Sequence, residues 1–131
     1  MLELLLFRHA KSRWDEPGVE DHDRNLAPRG EEAAPRMGRL LAEKNLVPDR
    51  VLCSTARRAV RTWELAAAEL PGAPEPILDR ALFMAPPERM LEVVRRQGGA
   101  ARRLLLVGHN PGIHAFAMLV VGEGQRDARE L

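Results

Sequence analysis

The chain has 131 residues, 45% of them hydrophobic and 30% charged, a balance that fits one soluble globular domain, 1–131. A net charge of +1 supplies no overall field for nucleic acid or an anionic membrane surface, and no apolar stretch reaches membrane-spanning length. The single cysteine, Cys53, excludes an internal disulfide and a thiolate metal cluster; without a leader-like start, the expected compartment is the reduced cytoplasm.

Leu2 to Phe7 is a continuous apolar run, the pattern of a strand covered on both faces in a parallel sheet. A polar stretch from Lys11 to Pro28 follows, rich in Asp, Pro and Gly, and a loop so long in so small a chain is usually functional. Glu31 to Lys44 carries Ala33, Met37, Leu40 and Leu41 at helical spacing, with Asn45 and Pro48 closing the helix. Arg50 to Cys53 reads as a second strand. Ser54 is then a candidate N-cap for a helix whose apolar stripe is Ala59, Trp63, Ala66, Ala67 and Leu70. Pro76 to Asp79 is a weak third strand, and Pro86-Pro87-Glu88 opens a helix with an apolar face of Met90, Leu91, Val93 and Val94. Arg103 to Val107 is a clear buried strand, and a final helix runs from about Ile113 to Val121. The alternation predicts an α/β three-layer sandwich with a mostly parallel central sheet.

In open parallel sheets ligands bind beyond the carboxyl ends of the strands. Three predicted strands carry reactive residues there: Arg8-His9 on the first, Ser54 with Arg57 and Arg58 on the second, and Gly108-His109-Asn110 on the last. Two histidines and several arginines converging on one sheet edge are hard to explain as packing, because buried charges are rare unless paired. Arginine presents a rigid fork of donors that matches phosphate oxygens, and a neutral histidine can take a phosphoryl group on one ring nitrogen. Arg8 and Arg58 would favour that neutral form. At this level Arg57 and Arg58 are equivalent candidates.

Other readings are weaker. Cysteine phosphatases place an arginine six positions after the cysteine, where this chain has Ala59. A metal site from His9, His22, His109 and His114 lacks ligand spacing and a supporting carboxylate pattern, and no Gly-rich nucleotide loop is present, so no metal or organic cofactor is expected. His22 and His114 read as incidental, and Trp14 as a docking residue or a cover for the pocket.

Leu6-Phe7-Arg8-His9-Ala10 resembles the Arg-His-Gly signature of the histidine phosphatase (phosphoglycerate-mutase-like) superfamily, with Ala10 in place of the glycine. Arg-His-Ala-Lys-Ser is similar to its small bacterial SixA-type branch of phosphohistidine phosphatases. Asp23 to Gly30, Cys53 to Thr62 and Val107 to Gly112 match in order, so the resemblance spans residues 2 to 122. It implies that His9 becomes phosphorylated and that Arg8, Arg58 and His109 hold the phosphoryl oxygens. Arg24 and Asn110 are further phosphate or substrate contacts, and the family spacing from Ser54 selects Arg58 over Arg57. The substrate it implies is a phosphohistidine-containing phosphotransfer or phosphocarrier protein.

Two departures qualify this. Relatives often carry a polar or acidic residue where this chain has Met84, and only Asp15, Glu16 or Glu88 are candidates to reach the site from loops. Without an acid an alkoxide leaves badly, whereas an imidazole leaves already protonated on its other nitrogen, which favours a nitrogen–phosphorus substrate. Such domains also generally continue past Gly122-Glu123-Gly124 with another strand, whereas only Gln125 to Leu131 remain here, so the expectation is either a trimmed chain or a sheet short at its C-terminal edge. The rival readings are a phosphomonoesterase or mutase for a small metabolite, and a non-catalytic phosphate-binding module.

Overall fold

The computed structural model describes residues 2–122 and 128–130. Strand β1 spans Glu3–Arg8, and its side chains divide by the period of two: Leu4 and Leu6 enter one core, Leu5 and Phe7 the other. The expected strands follow as β2 (Arg50–Cys53), β3 (Pro76–Leu78) and β4 (Arg103–Gly108). All pairings between these strands are parallel, in the order β3-β2-β4-β1, with a fifth strand, β5 (Ala128–Glu130), beyond β1. Strand β5 lies outside the predicted elements; it pairs in parallel with β1 and supplies an edge strand after Gly122. Glu123 and Gly124 lie outside the described residues.

Helices α1 (Pro28–Glu43) and α2 (Arg57–Ala68) cover one face, packing Leu41, Trp63 and Ala66 on Leu5, Phe7 and Leu105. Helices α3 (Pro87–Gln97) and α4 (Gly112–Gly122) cover the other, where Met90, Val93 and Phe116 meet Leu4, Leu6 and Leu104. Burial of each such side chain contributes about 1.5–3 kcal/mol, which makes these two cores the main source of stability.

The buried face of α1 differs from the expected one. Gly30, Ala34, Gly38 and Leu41 point inward, whereas Met37 and Leu40 are only partly covered. The reason is close packing: a Cβ on Gly38 would sit 1.9 Å from the Ala66 carbonyl oxygen of α2. The helix also starts at Pro28, three residues earlier than expected, because proline suits a first turn that needs no amide donor. Gly30 matters for the same reason as Gly38, since its Cβ would lie 2.2 Å from the Lys11 carbonyl oxygen. That contact seats the segment after His9 directly on α1.

Candidate active site

The register of the sheet assembles the site. Arg8 pairs with Gly108, and the His9 N–H donates to the Gly108 carbonyl at 3.1 Å, one step beyond the strands. The Ser54 N–H donates to the Val107 carbonyl at 3.0 Å. His9, His109 and Ser54 therefore stand side by side at three adjacent strand ends. The two imidazoles lie 5.0 Å apart, tilted by 59°.

His9 Nδ1 is 2.7 Å from the Ala10 carbonyl oxygen, so Nδ1 carries the hydrogen and Nε2 keeps its lone pair. Arg58 Nε donates to that Nε2 at 3.3 Å. The backbone holding the ring is itself tied to α2, because the Ala10 N–H donates to Thr62 Oγ1 at 3.0 Å while that hydroxyl donates to the Arg58 carbonyl at 2.7 Å. Burial above all, with the charges of Arg58, Arg8 and Arg24, pushes the His9 pKa down to about 4, against the pull of the Ala10 carbonyl. The arginines act in the expected direction, but burial is the larger cause.

His109 is 1% exposed. Its Nε2 meets Ser54 Oγ at 2.8 Å and its Nδ1 faces Arg58 Nη2 at 3.4 Å. Burial, then the neighbouring His9, Arg58 and Arg24, lower its pKa to about 3, with Asp21 opposing. Both imidazoles are thus neutral at neutral pH. Ser54 does not cap α2 from the N-cap position, which belongs to Ala56; its Oγ accepts the Ala56 N–H at 3.2 Å and orients His109.

Arg58, in the first turn of α2, is 1% exposed and connects every part of the site. Beyond the two histidines it donates to the Asp21 main-chain oxygen at 2.5 Å and to Asp21 Oδ2 at 3.4 Å. Arg57 is exposed and lines a separate cleft of about 870 Å³ that contains no histidine, so the fold itself distinguishes the two arginines. Arg8 is exposed at the rim of the His9 pocket, and its side chain makes no hydrogen bond or ion pair among the described residues.

Arg24 also lines this pocket of about 380 Å³. Its guanidinium donates to Asp21 Oδ1 at 2.9 Å, to Ser12 Oγ at 2.8 Å and to the Arg13 carbonyl at 2.9 Å, and it stacks 3.5 Å from the Trp14 ring centre. Much of its bonding capacity therefore shapes the long loop. Asn110 borders the pocket too, but its Oδ1 caps α4 by accepting the His114 N–H at 3.1 Å.

Met84 lines the pocket with its sulfur 3.9 Å from Arg58 Nη2, on a backbone of φ +51°. None of the three acids named as substitutes reaches it. Asp15 pairs with Arg13 at 2.9 Å, Glu16 accepts from Asn25 Nδ2 at 3.0 Å, and Glu88 sits in the first turn of α3 outside the lining. Asp21 is the one carboxylate among the described lining residues; it belongs to the acidic run Asp15, Glu16, Glu20, Asp21 and Asp23, which reads from the sequence as a solvated loop or as a counterweight to the arginines. Partial burial raises its pKa, but hydrogen bonds and charge from Arg24 and Arg58 outweigh this and hold it below the usual carboxylate range.

His22 is not incidental. Its Nε2 meets Thr55 Oγ1 at 2.8 Å and its ring packs edge-on against Phe83 at 4.9 Å, which anchors the turn bearing Asp21. Burial pushes the Cys53 thiol up to about 12, consistent with a core residue. Among the described residues no group of three or more His, Cys, Asp or Glu is placed to hold a metal.

This architecture is the phosphoglycerate-mutase-like α/β fold, with paired histidines and arginines at the carboxyl edge of its sheet. Residues 4–82 match the profile of the histidine phosphatase superfamily (branch 1), and the chain belongs to that superfamily and is a phosphatase. An uncharacterized protein of Mycobacterium tuberculosis is 39% identical over 121 residues, covering 92% of this chain and 73% of its own. A 2,3-bisphosphoglycerate-dependent phosphoglycerate mutase of Thermobifida fusca is 45% identical over 71 residues, 53% of this chain and 29% of its own. The crystal structure of a protein assigned as phosphohistidine phosphatase SixA from Agrobacterium tumefaciens superposes with a TM-score of 0.83 at 29% identity. It covers 92% of this chain and 77% of that one. A second SixA assignment, from Nakamurella multipartitia, gives 0.78 at 27% identity over 96% and 72% of the two chains.

Proposed function

We propose that the protein hydrolyses N-phosphohistidine on a partner protein, with His9 as the nucleophile. The observation that carries this reading is that the described pocket lining holds no protonated carboxylic acid: its one carboxylate, Asp21, is tied to two arginines and kept ionised. An alkoxide leaving group needs an acid worth about 10²–10⁴ in rate; an imidazole protonated on its far nitrogen does not.

In the first step the His9 Nε2 lone pair attacks phosphorus, the substrate nitrogen–phosphorus bond breaks, and its electron pair stays on the departing imidazole. The Ala10 carbonyl supports the charge that builds on the His9 ring through the hydrogen at Nδ1. Arg58 exchanges its bond to His9 Nε2 for phosphoryl oxygens, and Arg8 closes on the group from the rim. In this structure His109 Nδ1 accepts from Arg58 Nη2, so Nε2 carries the ring hydrogen toward Ser54 Oγ; once Arg58 turns to the phosphoryl oxygens, Ser54 can donate to Nε2 instead and leave Nδ1 as a donor to a phosphoryl oxygen. In the second step water adds to phosphorus, the bond to His9 breaks, and dihydrogen phosphate leaves with both water protons.

A protein substrate is supported by the rim. Trp14 and Met84, 80% and 49% exposed, flank a polar pocket, and exposed apolar side chains around a charged site suit contact with another protein surface. The test compares wild type with His9→Ala on a phosphohistidine protein and on a panel of alkyl phosphate monoesters. We expect faster phosphohistidine turnover and an acid-labile phosphoenzyme that the variant lacks. The metabolite reading, which the similarity to the Thermobifida fusca mutase favours, predicts faster turnover of the monoesters, and that result would overturn the proposal. Tight phosphate binding without turnover would point to a binding module instead.

A further inference from the structure

A carboxylate beside a phosphoryl site is electrostatically unfavourable, because it repels the group the arginines attract. Asp21 is nevertheless built in firmly. Its Oδ1 accepts from Arg24 at 2.9 Å, its Oδ2 from Arg58 at 3.4 Å, and its main-chain oxygen from Arg58 at 2.5 Å. The neighbouring His22 fixes the same turn through Thr55 and Phe83. A carboxylate offers about four acceptor positions, of which the two arginines take two. The side chain is 49% exposed, so acceptor capacity remains on the side open to an entering substrate.

We propose that Asp21 accepts a hydrogen bond from the far ring N–H of the substrate phosphohistidine and thereby selects the protonated ring as leaving group. The proposal rests on the phosphohistidine reading above. A ring protonated on its far nitrogen carries positive charge while the phosphoryl group is attached. As the nitrogen–phosphorus bond breaks, its electron pair neutralises that charge, and the ring departs as imidazole with its hydrogen still on the far nitrogen. No proton crosses from Asp21 at any point. The ion pairs that disqualify Asp21 as an acid are the ones that suit it to this role, since they hold it as a charged acceptor. The same charge would repel phosphomonoesters that bear a further anionic group near the leaving oxygen, such as a glycerate.

The test uses Asp21→Asn, which keeps the shape and removes the charge, with a phosphohistidine peptide and p-nitrophenyl phosphate as substrates. Nitrophenolate has no ring N–H to offer. The kcat/KM for the peptide should fall about ten- to a hundredfold more than that for p-nitrophenyl phosphate. Tungstate affinity reports whether the arginine cradle survives, and Asp21→Ser serves as the second variant should the amide disturb Arg58. An equal fall on both substrates, or an unchanged ratio, overturns the proposal and leaves Asp21 as an anchor for the loop. If wild type hydrolyses p-nitrophenyl phosphate but not the phosphohistidine peptide, the phosphohistidine reading fails first and this role goes with it.

Discussion

Acid should destabilise this fold through His9 and His109 before carboxylate chemistry does. In the folded protein the two rings titrate near 4 and 3, whereas in an unfolded chain both return to 6.5. Below pH 6.5 the unfolded state therefore binds protons that the folded state refuses, and stability drops until the folded values are reached. Above pH 6.5 the contribution is complete. Linkage at pH 5 gives about 2 kcal/mol for each ring, or about 4 kcal/mol together, a large share of a typical total of about 5–15 kcal/mol. The assay is urea unfolding followed by circular dichroism at pH 7.5 and pH 5, for wild type, His9→Gln and His109→Gln. Each glutamine variant should lose about 2 kcal/mol less than wild type between the two pH values. Asp21 and Asp79, whose pKa values are also depressed, are common to all three chains and largely cancel in the comparison. If wild type and variants lose equal stability, the rings are not held neutral by burial and the electrostatic account of the proposed nucleophile is wrong.

Arg58→Met should weaken tungstate binding by about 10²-fold and raise the His9 midpoint seen by NMR, though not to its ordinary value because burial persists. Arg57→Met, in the other cleft, should change tungstate affinity by about twofold or less. Ser54→Ala removes the partner of His109 Nε2 and should cost about tenfold in tungstate affinity, measured by calorimetry. Gly30→Ala drives a Cβ into the Lys11 carbonyl and should cost about 1–3 kcal/mol in urea unfolding, with a fall in kcat because Lys11 lies two residues from His9. Met84→Glu should not create a strong monoesterase at pH 7: a carboxylate beside Arg58 stays ionised, as Asp21 does. The expected gain on glycerol phosphate is below about tenfold, and a gain of about 10²–10⁴ would show that the position supplies a working acid.

The fold was legible because its signals are local. Four of the five described strands and all four described α-helices follow from apolar runs, from helical spacing and from prolines at helix starts. Errors arose where packing overrides pattern. In α1 the expected stripe is Ala33, Met37, Leu40 and Leu41, of which only Leu41 is buried; the close approach of α2 at Gly38 turns Gly30, Ala34 and Gly38 inward instead. Ser54 has the chemistry of a helix cap, and nothing local revealed that His109, 55 residues away, would claim its hydroxyl. Strand β5 is only three residues long and lacks an apolar run to announce it.

The candidate site divides along the same line. His9, Arg8, Arg58 and His109 were visible because each belongs to a short ordered stretch at a strand end, and the sheet register then brings those ends together. The groups that tune them were not visible. Thr62 bridges the His9 loop to α2 through a hydroxyl four residues beyond Arg58, and Asp21 comes from a loop whose acids all look like solvated charge. Their roles depend on distance and desolvation, which no spacing encodes. The consequence reaches the chemistry itself. The motifs alone show an acid missing at Met84 and on that ground favour a nitrogen–phosphorus substrate; in three dimensions an ionised carboxylate also stands at the same mouth, 3.4 Å from the arginine that would bind phosphate. A site with neutral histidines, fixed cations and one fixed anion is poorly matched to an alkoxide and well matched to a leaving group that arrives positively charged and departs neutral.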